Sequence, residues 1–256
     1  MWNMGSDIRF KILSLAIIAV LSFSCKKAED RTCFKTLGED SSLELPLPRL
    51  DKLSVTGKIK YILIQDSTNK AVVHGGKNLI KHIDFSYDAD SVLHISNKNK
   101  CNVLRKMNHQ LTVELHISDL SSLTINSGDS VVSRGTLKSP FIYVKVNDGA
   151  ASIVLDFDVH QLDTYVVYGF ADLTYTGKAK TCNNNISFAS SLNALGLKVS
   201  DYIYIRSFTS QPVYFNTNQT YMEGLIESNG DIYYEGIPSH LDVKTEAGNG
   251  KLIKLQ

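Results

Sequence analysis

From Leu50 onward, apolar and polar residues alternate with a period of two. The runs "LSVTGKIKYILI" (53–64), "SVLHIS" (91–96), "QLTVELHI" (110–117) and "SLTI" (122–125) set the pattern. It continues in "FIYVKV" (141–146), "SIVLDFDV" (152–159), "DTYVVY" (163–168), "DYIYIR" (201–206) and "PVYFNT" (212–217). Each run is short, rich in β-branched or aromatic residues, and bounded by Gly, Asn, Asp or Ser. Successive side chains on an extended chain point to opposite faces, so each run reads as a strand with one buried face. The only helical candidate lies around Leu192–Leu197. The pattern predicts an all-β fold.

Spacing narrows the architecture. "SGDSVVSRG" (127–135), "GFADLTYTG" (169–177) and "NGDIYYEG" (229–236) each carry an acidic turn, a short apolar alternation and a closing glycine. Turn glycines fall at 128, 149, 169 and 230, and turns without glycine near Ala189 and Ser210 fill the gaps in that series. A sandwich also has short strands and Gly-rich turns. A recurrence near twenty residues, with two or three strands per repeat, instead matches one coil of a β-solenoid. Coils then stack at the ordinary strand spacing of about 4.8 Å. One such coil buries too few side chains to offset its own ordering entropy, so stability has to come from its neighbours.

The two ends change the picture. Arg9 and Lys11 precede an apolar run from Ile12 to Phe23, followed by Ser24 and Cys25. This reads as a secretory signal over residues 1–24, too short in its apolar part to span about 30 Å of hydrocarbon. A cysteine at the cut site resembles a lipobox and makes Cys25 the acylated residue of a lipoprotein; the alternative is an ordinary signal followed by a structural cysteine. Residues 25–48, polar and acidic with Pro46 and Pro48, read as a flexible tether. Residues 49–256 are left as one β domain. The whole chain carries 27 Lys and Arg against 26 Asp and Glu, and removal of the signal leaves 25 of each sign. With no concentrated basic face, nucleic acid is excluded as a partner.

Three further cysteines, Cys33, Cys101 and Cys182, lack CxxC spacing and so give zinc no starting point. In an exported protein one pair oxidises. Cys33 with Cys101 is the preferred pair, and pairings through Cys182 stay open.

The stretches "LDKLSVTGKIKYILIQDS" (50–67), "AVVHGGKNLIKHIDFSYDADSVLHISNKNKCNVLR" (71–105) and "LTVELHISDLSSLTINSGD" (111–129) resemble the DUF2807 family, the head GIN domain of auto-transporter adhesins, found in lipoproteins of Bacteroidetes. The resemblance runs from about Arg49 to Gly236. Asp119 and Asp129 stand where many members have Pro and a Gly-Ser-Gly corner. The resemblance implies a right-handed β-solenoid, surface or periplasmic placement and an adhesive role. It also favours the Cys33–Cys101 pair, and it brings no catalytic residues.

Chemistry is sparse. In "LDFDV" (155–159), Asp156 and Asp158 share one strand face, the arrangement a polysaccharide lyase or hydrolase on a β-helix needs for acid/base work. The solvated side of an amphipathic strand is the better reading, because the sequence places no third acidic group or arginine beside them. Gly128-Asp129-Ser130 resembles an esterase nucleophile block, but no DxxH follows anywhere, so a corner turn is the better reading. Seven histidines show neither HxxxH nor HExxH spacing, and no metal or cofactor is expected. Tyrosines cluster in the second half: Tyr143, Tyr165, Tyr168, Tyr175, Tyr202, Tyr204, Tyr214, Tyr221, Tyr233 and Tyr234. Of these, Tyr202 and Tyr204 are the candidate surface-binding residues, because tyrosine stripes hold glycans or proteins by stacking and a hydroxyl; such stripes also stabilise strand ladders, which is the plainer reading.

The sequence therefore predicts a non-catalytic, lipid-anchored envelope protein that binds a glycan or protein, or associates with itself as a homo-oligomer. It is expected on the outer membrane, at the cell surface or facing the periplasm. "KKAED" (26–30), resembling export tags of surface lipoproteins, favours surface display. The ending "GNGKLIKLQ" (248–256), short and flanked by lysines, is expected to cap the last coil.

Overall fold

The computed structural model describes residues 37–99 and 111–256. In chain order its strands begin with β1 (Asp40–Pro46), β2 (Lys52–Gly57), β3 (Lys60–Gln65) and β4 (Lys70–Gly76). A single helical turn, α1 (Lys77–Ile80), precedes β5 (Ile83–Tyr87), β6 (Leu93–Asn97) and β7 (Thr112–Ile117). Then come β8 (Ser122–Ser127), β9 (Val131–Val146), β10 (Ser152–Val166), β11 (Asp172–Phe188) and β12 (Ser191–Thr209). The last are β13 (Val213–Asn216), β14 (Tyr221–Ile226), β15 (Ile232–Glu235), β16 (His240–Thr245) and β17 (Leu252–Lys254). Together they wind into a β-solenoid of about seven turns.

The twenty-residue recurrence is the register of the stack. Strand β10 lies parallel to β11 with Ser152 beside Asp172 and Tyr165 beside Asn185. From β9 to β17 every neighbouring pair is parallel. The three acidic-turn motifs consequently deliver Val131, Leu173 and Ile232 to one inward column, which Ile153, Leu192 and Val213 complete. All six are at most 1% exposed. Aligned apolar columns of this kind are what a parallel stack buries in place of a two-sheet sandwich core.

The corners are crowded. A Cβ on Gly149, whose φ is +136°, would lie 2.1 Å from the Ser127 carbonyl oxygen, and one on Gly169 would lie 2.4 Å from that of Gly149. Glycine is needed where one corner rests on the backbone of the last. Where the column lacks glycine, a buried hydroxyl bridges the coils: Ser190 Oγ donates to the Gly169 carbonyl at 3.3 Å, and Thr209 Oγ1 to the Ser190 carbonyl at 2.6 Å. At the first corner it is Ser127, not Gly128, that lies beneath Gly149. Ser127 Oγ donates to the Gly57 carbonyl at 2.8 Å.

The strands before β8 follow another plan. Strand β2 lies between β6 and β8, so Leu53 has Leu93 on one side and Leu123, seventy positions on, at the other. Strand β3 likewise lies between β7 and the start of β9. Beyond β6 and β7 the chain reverses: β5 runs antiparallel to β6, β4 to β7, and β1 to β4. Leu79 and Ile80 of α1 join the buried core at this end.

Two expectations are corrected here, and the one helical candidate is decided. Residues 40–46, placed in the tether, form β1, an edge strand whose Pro46 sits at its terminus. The 192–197 window is strand, not helix. One extra residue near Ala194–Leu195 shifts the register against β11, and this bulge removes the period-two signature. The C-terminal segment does not cap the stack, since β17 continues the parallel ladder on β15.

Candidate functional site

The later parts of β9 to β12, followed by β14 and β16, form one continuous outward sheet. Its register aligns Gln161, Thr181, Tyr202, Tyr221 and His240 in one column. The next outward column is Asp163, Asn183, Tyr204, Glu223 and Asp242. Alternation is what points these side chains out, since Leu162, Cys182, Ile203 and Met222 between them are fully buried.

The first column ends in stacked rings. The Tyr202 and Tyr221 centroids are 5.6 Å apart, and the Tyr221 ring lies 4.5 Å from His240 at an interplanar angle of 19°. One carboxylate fixes both phenols: Tyr202 donates to Glu223 Oε1, and Tyr221 to Glu223 Oε2 at 3.2 Å. Desolvation, with that carboxylate alongside, pushes the Tyr202 phenol well above its ordinary pKa, so it stays a neutral donor. Beside them Asp163 accepts from both Gln161 Nε2, at 3.0 Å, and Asn183 Nδ2, at 2.7 Å. Arg206 Nε and Nη2 hold Glu227 at 2.5 and 3.0 Å, and its guanidinium lies 4.7 Å from the Phe208 ring centroid. The result is aromatic plates beside carboxylate and amide groups already held in place. It suits a ligand with apolar C–H faces and peripheral hydroxyls.

Near the turn that follows β10, three aromatics are left unburied: Tyr168 is 57%, Phe170 70% and Phe188 54% exposed. Tyr168 and Phe188 pack at 4.8 Å, and Phe188 adopts a φ of +62°, a conformation few non-glycine residues take up.

The expected site residues separate. Tyr202 and Tyr204 both lie on the outward sheet just described. Asp156 and Asp158 lie on the middle segment of β10, and each has a structural partner. Asp156 accepts from Thr176 Oγ1 at 2.6 Å. Asp158 stands between Lys138 and Lys178 in the ladder and pairs with Lys178 at 3.2 Å. Tyr175 points inward instead, packed edge-on against Phe157 at 5.2 Å. Gly128-Asp129-Ser130 is a corner, with the Ser130 amide donating to the Asp129 carboxylate at 2.7 Å. Asp119 pairs with Arg49 at 2.6 Å, joining the loop before β8 to the chain ahead of β2.

Cys182 is a free thiol, fully buried, and burial pushes its pKa up to about 12. Cys25, Cys33 and Cys101 lie outside the described residues. Among the described residues, no group of three or more His, Cys, Asp or Glu side chains could hold a metal ion. There too, no helix is long and apolar enough to cross a membrane.

Sequence reasoning missed Glu223 and His240 as members of the face. Their signal was present as spacing: 202, 221 and 240 are separated by nineteen, as are 204, 223 and 242.

The family model described as "Putative auto-transporter adhesin, head GIN domain", DUF2807, matches residues 49–238. The chain belongs to the DUF2807 family. Three solved structures share this fold. A "putative adhesin" of Bacteroides fragilis superposes with a TM-score of 0.76 at 14% identity, covering 85% of this chain and 97% of that one. A "putative lipid binding protein" of Parabacteroides distasonis gives 0.62 at 14% identity, covering 86% and 98%. A "putative adhesin" of the same species gives 0.59 at 18% identity, covering 85% and 98%. Among curated proteins none matches. At these identities the neighbours establish the fold. Family membership supports a non-catalytic, adhesin-like protein of the cell surface or envelope.

Proposed function

We propose that this DUF2807 protein is a lipid-anchored adhesin that binds glycans through the outward face built on β12, β14 and β16. The observation carrying the reading is the Tyr202–Tyr221–His240 stack with both phenols fixed by Glu223. Pyranose rings dock their C–H faces on such plates, while carboxylates and amides such as Glu223, Asp163 and Asn183 take their hydroxyls. Because the side chains are fixed in the free protein, little ordering entropy is lost on binding. Acylated Cys25 would tether the stack to the outer membrane and leave this face free.

The test is a glycan and matrix-protein array probed with the purified chain, followed by titration of hits against Tyr202→Ala and Tyr221→Ala. Each variant should keep the far-ultraviolet spectrum and lose about tenfold or more in affinity, roughly 1.4 kcal/mol. Unchanged affinity in both variants would remove the face as the site, and hits confined to proteins would replace the ligand class. Acyl labelling that persists in Cys25→Ala would refute the anchor.

A further inference from the structure

The two ends of the stack are finished differently. At one end the parallel ladder gives way to the reversed strands β5, β4 and β1; β5 and β1 have one strand partner each among the described residues, and Leu79 and Ile80 of α1 fill the core there. At the other, β16 has β14 as its only strand partner and β17 has only β15, so among the described residues both present an unpaired edge. The lumen is open there as well. Met222, Ile226 and Ile232 are fully buried, whereas Leu241, Val243 and Leu252, one coil further along, are only partly covered. Ile237, in the turn leading to β16, is 73% exposed. An unblocked edge with apolar side chains beside it is a template for adding a strand.

The charge order of β16 chooses the occupant. Laid antiparallel to a second copy of itself with Val243 facing Val243, β16 sets Asp242 opposite Lys244 and His240 opposite Glu246. On the inward side Leu241 meets Thr245. No like charges face each other in this register, and cross-strand pairs of opposite charge are favourable. Within one copy Asp242 and Lys244 already share the outward side, 3.3 Å apart. A head-to-tail column is disfavoured, because the opposite end offers reversed strands, one of them ending in Pro46.

We infer that the chain forms a two-fold dimer by pairing β16 of one copy with β16 of the other, closing the open lumen of both. A two-fold contact of this kind is self-limiting, unlike a translational one. It also joins two tyrosine faces on one particle and so raises avidity for a repeating ligand. The inference stands whether or not that ligand is a glycan.

The experiment is multi-angle light scattering on the full chain with Cys25→Ala, so that no micelle enters the mass. The parent should run at twice the chain mass. Asp242→Lys, which sets lysine against lysine, should weaken association about tenfold or more, and the exchange Asp242→Lys with Lys244→Asp should restore it. Amide exchange at β16 should be slow in the dimer and fast in Asp242→Lys. Any of four results overturns the inference. These are a monomer at every concentration, a dimer indifferent to Asp242→Lys, a ladder of larger species, or a monomer whose β16 amides are protected because another part of the chain covers them.

Discussion

The coils from β9 to β12 and the strands before β8 use the same residue types, yet they are held together by different rules. In the first region each strand rests on the one twenty residues earlier, and the connection is a tight corner. In the second, β2 is clasped between strands forty and seventy residues away, and the outermost strands run backwards. The regular region is stable by repetition. The irregular one ends the repetition by reversing strand direction and packing the helical turn α1 into the core there.

The sharpest way to break this comparison is a change that only close stacking forbids. A Cβ at Gly224, in the middle of β14, would lie 2.1 Å from the Ile205 carbonyl oxygen on the coil beneath. Gly224→Val should therefore cost about 3 kcal/mol or more and free the coils beyond β12 for rapid amide exchange, while β2 to β7 stay protected. Exchange lost evenly over both regions would show that they fold as one unit.

Next come two large-to-small changes, one per region. Phe157→Ala empties a fully buried lumen site against Tyr175, and Leu53→Ala empties the contact between Leu93 and Leu123. Each should cost about 3–5 kcal/mol in denaturant unfolding. Only Leu53→Ala should also loosen the reversed strand β5, because β2, through β6, is what connects it to β8, whereas β4 and β1 are held through β7 and β3.

The Gly and Asp corners and the period of twenty were legible in the sequence because every coil repeats the same steric demand at the same offset. Val131, Leu173 and Ile232 announce their shared column in this way. The clasp was not legible. Nothing local to Leu53 marks it as a neighbour of Leu123 rather than of the next strand, since both arrangements bury a leucine equally well. The reversal at β4 and β5 was equally hidden, because alternation is blind to strand direction. Of the candidate site, the outward direction of Tyr202 and Tyr204 could be read from alternation alone. The division of labour that separates them from Asp156 and Asp158 depends on where each coil bends.

The smallest effect is electrostatic and belongs to the irregular region. His116 Nδ1 lies 2.6 Å from Asp66 Oδ2, linking the end of β3 to β7. That bond and those from Thr68 hold the Asp66 carboxyl down at about 2. Its folded pKa lies below the unfolded value of about 3.9, so the contribution is complete above pH 4 and fades as pH falls towards 2. Melting temperatures measured from pH 5 to 2 should fall less steeply in Asp66→Asn than in the parent, by less than about 2 °C because the pair is partly solvated. An identical slope would show that the pair adds nothing.

The clasped position of β2 also constrains how the chain is made. This strand leaves the ribosome early, but its second flank, β8, ends only at Ser127. Half the polypeptide must therefore be synthesised before its first core strand can be completed, so the leading segment stays unfolded until the chain has passed its midpoint.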